Sequence, residues 1–326
     1  MTLANRMGRT ASHVSRLALG ACAALAASAA LAAFPGAAHA HQAAAPSPAA
    51  AVAPIPRAEG AGPPLWVVRD ADSTVYLFGT VHVLRPGTAW GSDKVDAAFA
   101  SASDVWVEIA NQDDQAAVMP VIQQHGVDPS RPLSSILTPE DFAAFDKVAQ
   151  ANGATGAALD AYRPWLAAFL ISMSPATNAG YRPDAGADKT LMDRARAEGK
   201  TLHGFETADI QVRLIAGMSE EAQIAYLNHY VRNGDGVVAN LDQTVAAWLK
   251  GDAAEVGRLN RLSTRDVHED IHRAALIVRN ADWTDQIETM MKGSGAAFVA
   301  VGAAHLADQD SVIDMLKARG YTVERL

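Results

Sequence analysis

The sequence predicts a mixed α/β domain: a central mixed β-sheet covered by helices, with a large helical portion between the strand clusters. Three observations lead there. Short apolar runs rich in Val, Phe and Trp stand near the start, in the middle and at the end of the chain. Long stretches carrying helix caps and glycine stops separate them. Beyond the N-terminal leader, no apolar run is long enough for a membrane span, and no cysteine framework suggests a disulfide scaffold.

The leader comes first. Met1 to Arg16 carries Arg6, Arg9 and Arg16 and no acid, and Leu17 to Ala33 follows without a charge. Ala38-His39-Ala40 supplies the small-x-small pattern of a signal-peptidase site, which predicts cleavage after Ala40 and a periplasmic or secreted protein. An uncleaved anchor is the rival reading, but an alanine-rich run is weakly hydrophobic and a good cleavage site follows it. Cys22 stands too early in the apolar run for lipoprotein processing, and it is the only cysteine, so the mature chain offers no thiol nucleophile. Residues 41–64 are alanine and proline with few large apolar side chains, which predicts a disordered tether. The folded domain is expected over residues 65–326.

Without the three leader arginines the chain carries 24 basic against 36 acidic residues, a net charge of −12. No basic run offsets it, which argues against nucleic acid and anionic membrane surfaces as partners. No stable membrane insertion is expected once the signal is removed.

Leu65 to Arg69 and Thr74 to Phe78 read as strands joined by the polar turn Asp70 to Ser73, and Val105 to Ile109 as a buried strand. Helical signals dominate from Gln112 to Ala195, with Thr138-Pro139-Glu140-Asp141 a clear helix start and Lys189 to Glu198 a helix stopped by Gly199. Thr201 to Phe205 is a further strand. Thr207 to Leu262 reads as helices broken at Gly217, Gly234 and Gly251, and His268 to Lys292 as one or two more. Strand Ala296 to Val301, helix Ser311 to Arg319 and strand Tyr321 to Arg325 close the chain.

Four of these strands run into a side chain able to bind a metal or move a proton: Gly79-Thr80-Val81-His82, Glu108, Glu206, and Gly302-Ala303-Ala304-His305. The two Gly-x-x-His segments share one local design, in which Gly79 and Gly302 permit a tight turn or a close approach. Ligands of open α/β sheets bind beyond the carboxyl ends of strands. Gathered there, two histidines and two glutamates would make a nitrogen/oxygen site for a divalent metal. Equally, a histidine oriented by a glutamate would serve as a metal-free base.

Those segments, taken in order, resemble the TraB/GumN family. The residues that carry the likeness are Leu77 to Leu84, Trp106-Val107-Glu108, Gly186-Ala187-Asp188 and Gly204-Phe205-Glu206-Thr207 with Gln211. Arg279-Asn280 with Trp283, Val301 to Leu306, and Arg319 to Val323 complete the set. Two departures bear on His305: Ala304 stands where the family commonly has glycine, and Ala307 to Asp310 lacks the glycine that usually follows His-Leu.

The resemblance implies a sheet-centred fold shared with Tiki-type metalloproteases and, more distantly, with erythromycin esterase-like and haem-binding ChaN-like proteins. It implies His82, His305, Glu108 and Glu206 as ligands of a divalent metal (Mn, Co or Zn), with a glutamate taking a proton. Arg279 would stabilise an oxyanion or pin the substrate, and Asp188, Gln211 and Asn280 would support the ligands. The function expected is a metal-dependent hydrolase acting on a peptide or small-molecule substrate. The alternatives are a periplasmic protein that binds or sequesters a peptide, haem or polysaccharide-related ligand without turnover, and a metal-free His/Glu hydrolase of the esterase type.

His268-Glu269-Asp270-Ile271-His272 matches His-Glu-x-x-His literally. Asp266, Asp270 and Arg273 crowd it, which predicts a solvated helix face rather than a buried zinc helix. His125 and His229 read as structural or exposed. No serine stands in a Gly-x-Ser-x-Gly setting, so a serine hydrolase is disfavoured.

Overall fold

The computed structural model describes residues 54–326. The leader, its cleavage after Ala40 and the first half of the tether lie outside the described residues. The remainder of the tether lies against the domain: Arg57 forms an isolated bridge with Gly91, and Ile55 packs beside the core. A Cβ added at Gly91 would stand 2.9 Å from the Ile55 carbonyl oxygen, so glycine permits this contact.

Six strands form one sheet in the order β4-β3-β5-β2-β1-β6. They are β1 Leu65–Arg69, β2 Ser73–Thr80, β3 Asp104–Val107, β4 Thr201–Gly204, β5 Gly295–Gly302 and β6 Val323–Arg325. The hairpin β1–β2 turns where Asp70 Oδ1 accepts from the backbone N–H groups of Asp72 and Ser73 at 3.1 and 2.8 Å, a short-range turn built by one aspartate. β2, β5, β3 and β4 are mutually parallel neighbours, while β1 is antiparallel to both β2 and β6. The sheet is therefore mixed, with a parallel half.

The parallel strands are aligned at their carboxyl ends: Thr80 lies opposite Gly302, and Val107 opposite both Ala300 and Gly204. Successive residues of one strand feed opposite faces of the sheet. Phe78, Val105 and Phe298 join one core with Phe99, Leu191 and Trp248, whereas Leu77, Val75 and Val299 join another with Trp283, Ile287 and Leu316. Both faces are covered, which is why these strands read as continuous apolar runs.

A separate helical portion packs around Trp165, Phe169 and Ile215, and around Phe145, Ala168 and Leu227. Its helix Pro139–Ala151 starts as its sequence directs, with Thr138 Oγ1 accepting from the Asp141 N–H at 3.1 Å and proline in the first turn. The helices Ala208–Ala216, Glu220–Asn233, Val237–Leu249 and Ala253–Arg261 break beside Gly217, Gly234 and Gly251. Two elements escaped the sequence reading. Helix Asp93–Ser101 is capped by Ser92, and a π-helical segment Arg273–Ile277 lies between the short turn Glu269–His272 and the helix Val278–Met291. Among the described residues no helix is long and apolar enough to cross a membrane.

Candidate functional site

Beyond the carboxyl ends of the four parallel strands, His82, Glu108, Glu206, Arg279 and His305 come together in one buried cluster. The two motif glycines make this possible through close approach, and neither has a positive φ. A Cβ on Gly79 would stand 2.9 Å from Ala303 Cα. One on Gly302 would stand 2.9 Å from His82 Nε2 and 3.1 Å from Glu108 Oε1. Gly186 permits a similar approach a layer further out, since its Cβ would overlap the His82 carbonyl oxygen at 2.2 Å. That contact brings in the helix Ala187–Ala197, whose first-turn Asp188 faces His82 Nδ1 from 3.2 Å.

Arg279 is the centre of the cluster and is 1% exposed. Its Nε–H points at both Glu206 oxygens, at 2.9 and 3.1 Å, and Nη2 donates to Glu206 Oε1 and to Glu108 Oε2, the latter at 2.6 Å. Nη1 donates to the Ala275 carbonyl at 3.0 Å and faces His305 Nε2 at 3.1 Å. A guanidinium has five N–H groups, and these contacts engage all of them. The expected oxyanion or substrate contact from Arg279 is therefore corrected: every donor is committed within the protein. The preceding π-segment supplies Ala275, whose carbonyl helps fix the guanidinium.

His305 is fully buried, and its partners define its tautomer. Arginine cannot accept a hydrogen bond, so Nε2 facing it is the bare nitrogen. Nδ1 carries the hydrogen and donates to Asn280 Oδ1 at 2.6 Å. Asn280 is itself oriented by donating Nδ2–H to the Asp310 carbonyl at 2.7 Å. The Trp283 ring lies 4.3 Å from the imidazole. The Arg-Asn-x-x-Trp block thus forms three walls around His305. Burial, reinforced by the Arg279 charge, holds its pKa well below the ordinary histidine value.

The two glutamates differ. Glu108 Oε1 accepts from the Gly302 N–H at 2.8 Å and lies 3.4 Å from His82 Nε2 and 3.7 Å from His305 Nε2. Burial alone would raise its pKa, but the Arg279 and His82 charges outweigh burial and hold it well below the carboxylate range. Glu206 goes the other way: burial raises it, and the Arg279 attraction is insufficient to reverse this. Both Glu206 oxygens face Arg279, and Gln211 Nε2–H donates to Oε1 at 3.0 Å. Glu206 therefore anchors the guanidinium, with Oε1 taking most of its hydrogen bonds.

The cluster forms the end of a cleft of roughly 600 Å³, lined there by Thr80, His82, Gly302 and His305. His82 has both ring nitrogens buried without a formal hydrogen bond. Burial lowers its pKa, but Asp188 and then Glu108 overcome that and push it up to about 10.

The remaining residues fit a divalent cation by three observations. His82 Nε2 is an orphaned buried donor, Glu108 Oε1 lies between the two imidazoles, and Gly302 leaves open a space that a Cβ would fill. Glu108 and Glu206 flank the Arg279 guanidinium, and Asp188 lies against His82 Nδ1 at 3.2 Å. As the described side chains lie, no group of three or more His, Cys, Asp and Glu residues grips an ion. Arg279 Nη1 takes the His305 lone pair, and releasing it would still leave that nitrogen bonded to the Ala275 carbonyl.

The His268 to His272 segment is no zinc helix. His268 is the extended N-cap residue, its Nδ1 accepting from the Asp270 N–H at 3.1 Å, so the two imidazoles do not share a helix face. The expected solvated face is corrected at His272, which is buried with Nδ1 3.5 Å from Thr264 Oγ1 and Nε2 3.7 Å from Asp310. His229 is half-buried on the cleft wall.

The sequence reading missed Trp248, whose Nε1–H donates to the Gly79 carbonyl at 2.7 Å, and Asp310, whose carbonyl orients Asn280. Asp308 and Asp310 both have positive φ, 67° and 63°. They occupy the stretch noted for its missing glycine, and ion pairs to Arg261 and Arg265 hold them there. That missing glycine was the available signal.

A protein of Treponema pallidum (strain Nichols) described as uncharacterized is 23% identical over 270 residues, covering 78% of this chain and 80% of the relative. No solved structure matches. The model of the TraB/PrgY/gumN family matches residues 64–325, nearly the whole described domain, and the chain belongs to that family.

Proposed function

We propose that this protein is an exported hydrolase of acyl bonds, of the peptidase type, dependent on a divalent cation held by His82, Glu108 and His305. The observation that carries the reading is the convergence of His82 Nε2, with no hydrogen bond of its own, and His305 Nε2 on Glu108 Oε1, at 3.4 and 3.7 Å. Export rests on the arginine-led leader and the Ala38-His39-Ala40 site.

Mn²⁺, Co²⁺ or Zn²⁺ in that position supplies Lewis-acid polarisation of a carbonyl and acidification of water. The chain's own residues do the positioning. Asp188 faces His82 Nδ1 and so directs Nε2 toward Glu108. Asn280 fixes the His305 tautomer that leaves Nε2 bare. Arg279, pinned by Glu206, holds Glu108 Oε2 and leaves Oε1 facing the imidazoles. His82 lines the cleft, so a substrate carbonyl entering it would lie beside this histidine.

The test is turnover of a peptide library by protein stripped with chelator and then reloaded with each ion, beside Glu108→Gln. Activity is expected only on reloading and is expected to be lost in Glu108→Gln. Equal activity in stripped and reloaded protein contradicts the dependence. One observation favours a metal-free second reading: with Asp188 and Glu108 on either side, His82 keeps its proton at neutral pH in the absence of an ion. It would then act as a general acid. Chelator-resistant turnover that disappears in His82→Gln is its signature.

A further inference from the structure

The walls of the cleft carry a chemical preference of their own. Its described lining contains no Asp, Glu, Lys or Arg. A wall of this size drawn from a chain that is 19% charged would hold about six such residues. The apolar portion includes Ile215, Met218, Leu259 and Leu276. Leu262, one of the few large apolar side chains left exposed in the domain, stands on the same lining at 40% exposure. Amide side chains, Asn233, Asn240 and Gln243 among them, are interspersed and offer both donors and acceptors. At the end near His82, the Thr80 hydroxyl is buried, at 2% residue exposure, and has no hydrogen-bond partner among the described residues. A buried hydroxyl left without a partner is costly, and a ligand amide or carbonyl would satisfy it.

We infer that the cleft binds an uncharged peptide segment with apolar side chains, with Thr80 hydrogen-bonding the peptide unit nearest His82. The inference rests on the hydrolase reading for its choice of a peptide, but the selectivity is a property of the walls. Apolar side chains leave water for the apolar part of the lining, the amide side chains meet the main chain, and away from His82 at the cluster end a charged side chain has no counter-charge in the described lining. Thr80 is thereby a specificity residue.

Calorimetric titration of the full chain, stripped of metal by chelator, tests it with a blocked Gly/Leu hexapeptide, acetylated and amidated. Two analogues carry Glu or Lys in place of one central Leu. The neutral peptide is expected to bind at least tenfold tighter than either analogue. Leu262→Asp, an exposed change that spares the core, is expected to weaken the neutral peptide by about tenfold. Thr80→Val is expected to weaken it several-fold, and Thr80→Ser to restore it. Equal binding of the three peptides overturns the inference, as does binding of an uncharged fatty acyl glycerol but of no peptide. Because stripped protein is used, absence of hydrolysis would overturn the proposed reaction and leave this selectivity standing. Hydrolysis without peptide selectivity would do the reverse.

Discussion

At Gly302 a single missing Cβ decides whether two other strands' side chains can meet. A methyl there would stand 2.9 Å from His82 Nε2 and 3.1 Å from Glu108 Oε1, both held by buried partners. Gly302→Ala should therefore cost about 1–3 kcal/mol of stability and abolish cation binding, read by urea denaturation and calorimetry. Glu206→Gln separates two roles. Removing one charge from the buried guanidinium should cost about 3 kcal/mol, while cation affinity falls far less than in Glu108→Gln, because Glu206 faces Arg279 alone among the charged groups it bonds. His82 adds a pH dependence in ion-free protein. Its pKa rises from 6.5 to about 10 on folding, so the folded state holds the proton more tightly than the unfolded state. The stability it contributes is fully present below pH 6.5 and is lost as pH rises toward 10. The urea midpoint of stripped protein should fall across that window and fall much less in His82→Gln; a flat wild-type profile would contradict the assignment.

Each element that builds the site was legible to a different degree. Strands β2 and β5 were readable because parallel strands buried on both faces are apolar runs, whereas β3 and the edge strand β4 showed as short runs ahead of Glu108 and Glu206. Their carboxyl-end residues Glu108, Glu206 and the two Gly-x-x-His segments followed directly. The helix at Asp188 and the block at Arg279 to Trp283 were recognisable as family pieces, but their placement was not, because it depends on pairings far apart in the chain. Glu206 and Arg279 are the clearest instance. Both sit at positions suited to catalysis, and only the structure shows that they satisfy each other. The π-segment left no local signal: Arg273 to Ile277 reads as ordinary helix, and the extra residue per turn is set by packing. The His268 segment failed in the opposite sense, since the spacing implied a continuous helix that begins only at Glu269. Accordingly, His268→Ala should leave cation affinity unchanged, measured by calorimetric titration. A tenfold loss would restore that histidine as a ligand.

Across the whole molecule, the mixed sheet under helices followed from the order of strand and helix signals, whereas the strand order 4-3-5-2-1-6 did not. Placing β5 between β2 and β3 joins the last Gly-x-x-His segment to the first and puts Glu108 beside both. A linear sequence separates those histidines by most of the domain, and the parallel pairing closes that distance. The large helical portion contributes much of the cleft, including residues from Ile215 to Thr244, so the same fold that assembles the charged cluster also supplies its uncharged walls. The proposed chemistry depends on His82, Glu108 and His305 holding one divalent ion. Calorimetric titration of stripped protein with Mn²⁺, Co²⁺ and Zn²⁺, beside the His82→Ala/His305→Ala double variant, puts that to the test. One ion per chain is expected in the wild type and none in the variant. No binding in the wild type, or binding that survives both substitutions, would contradict it.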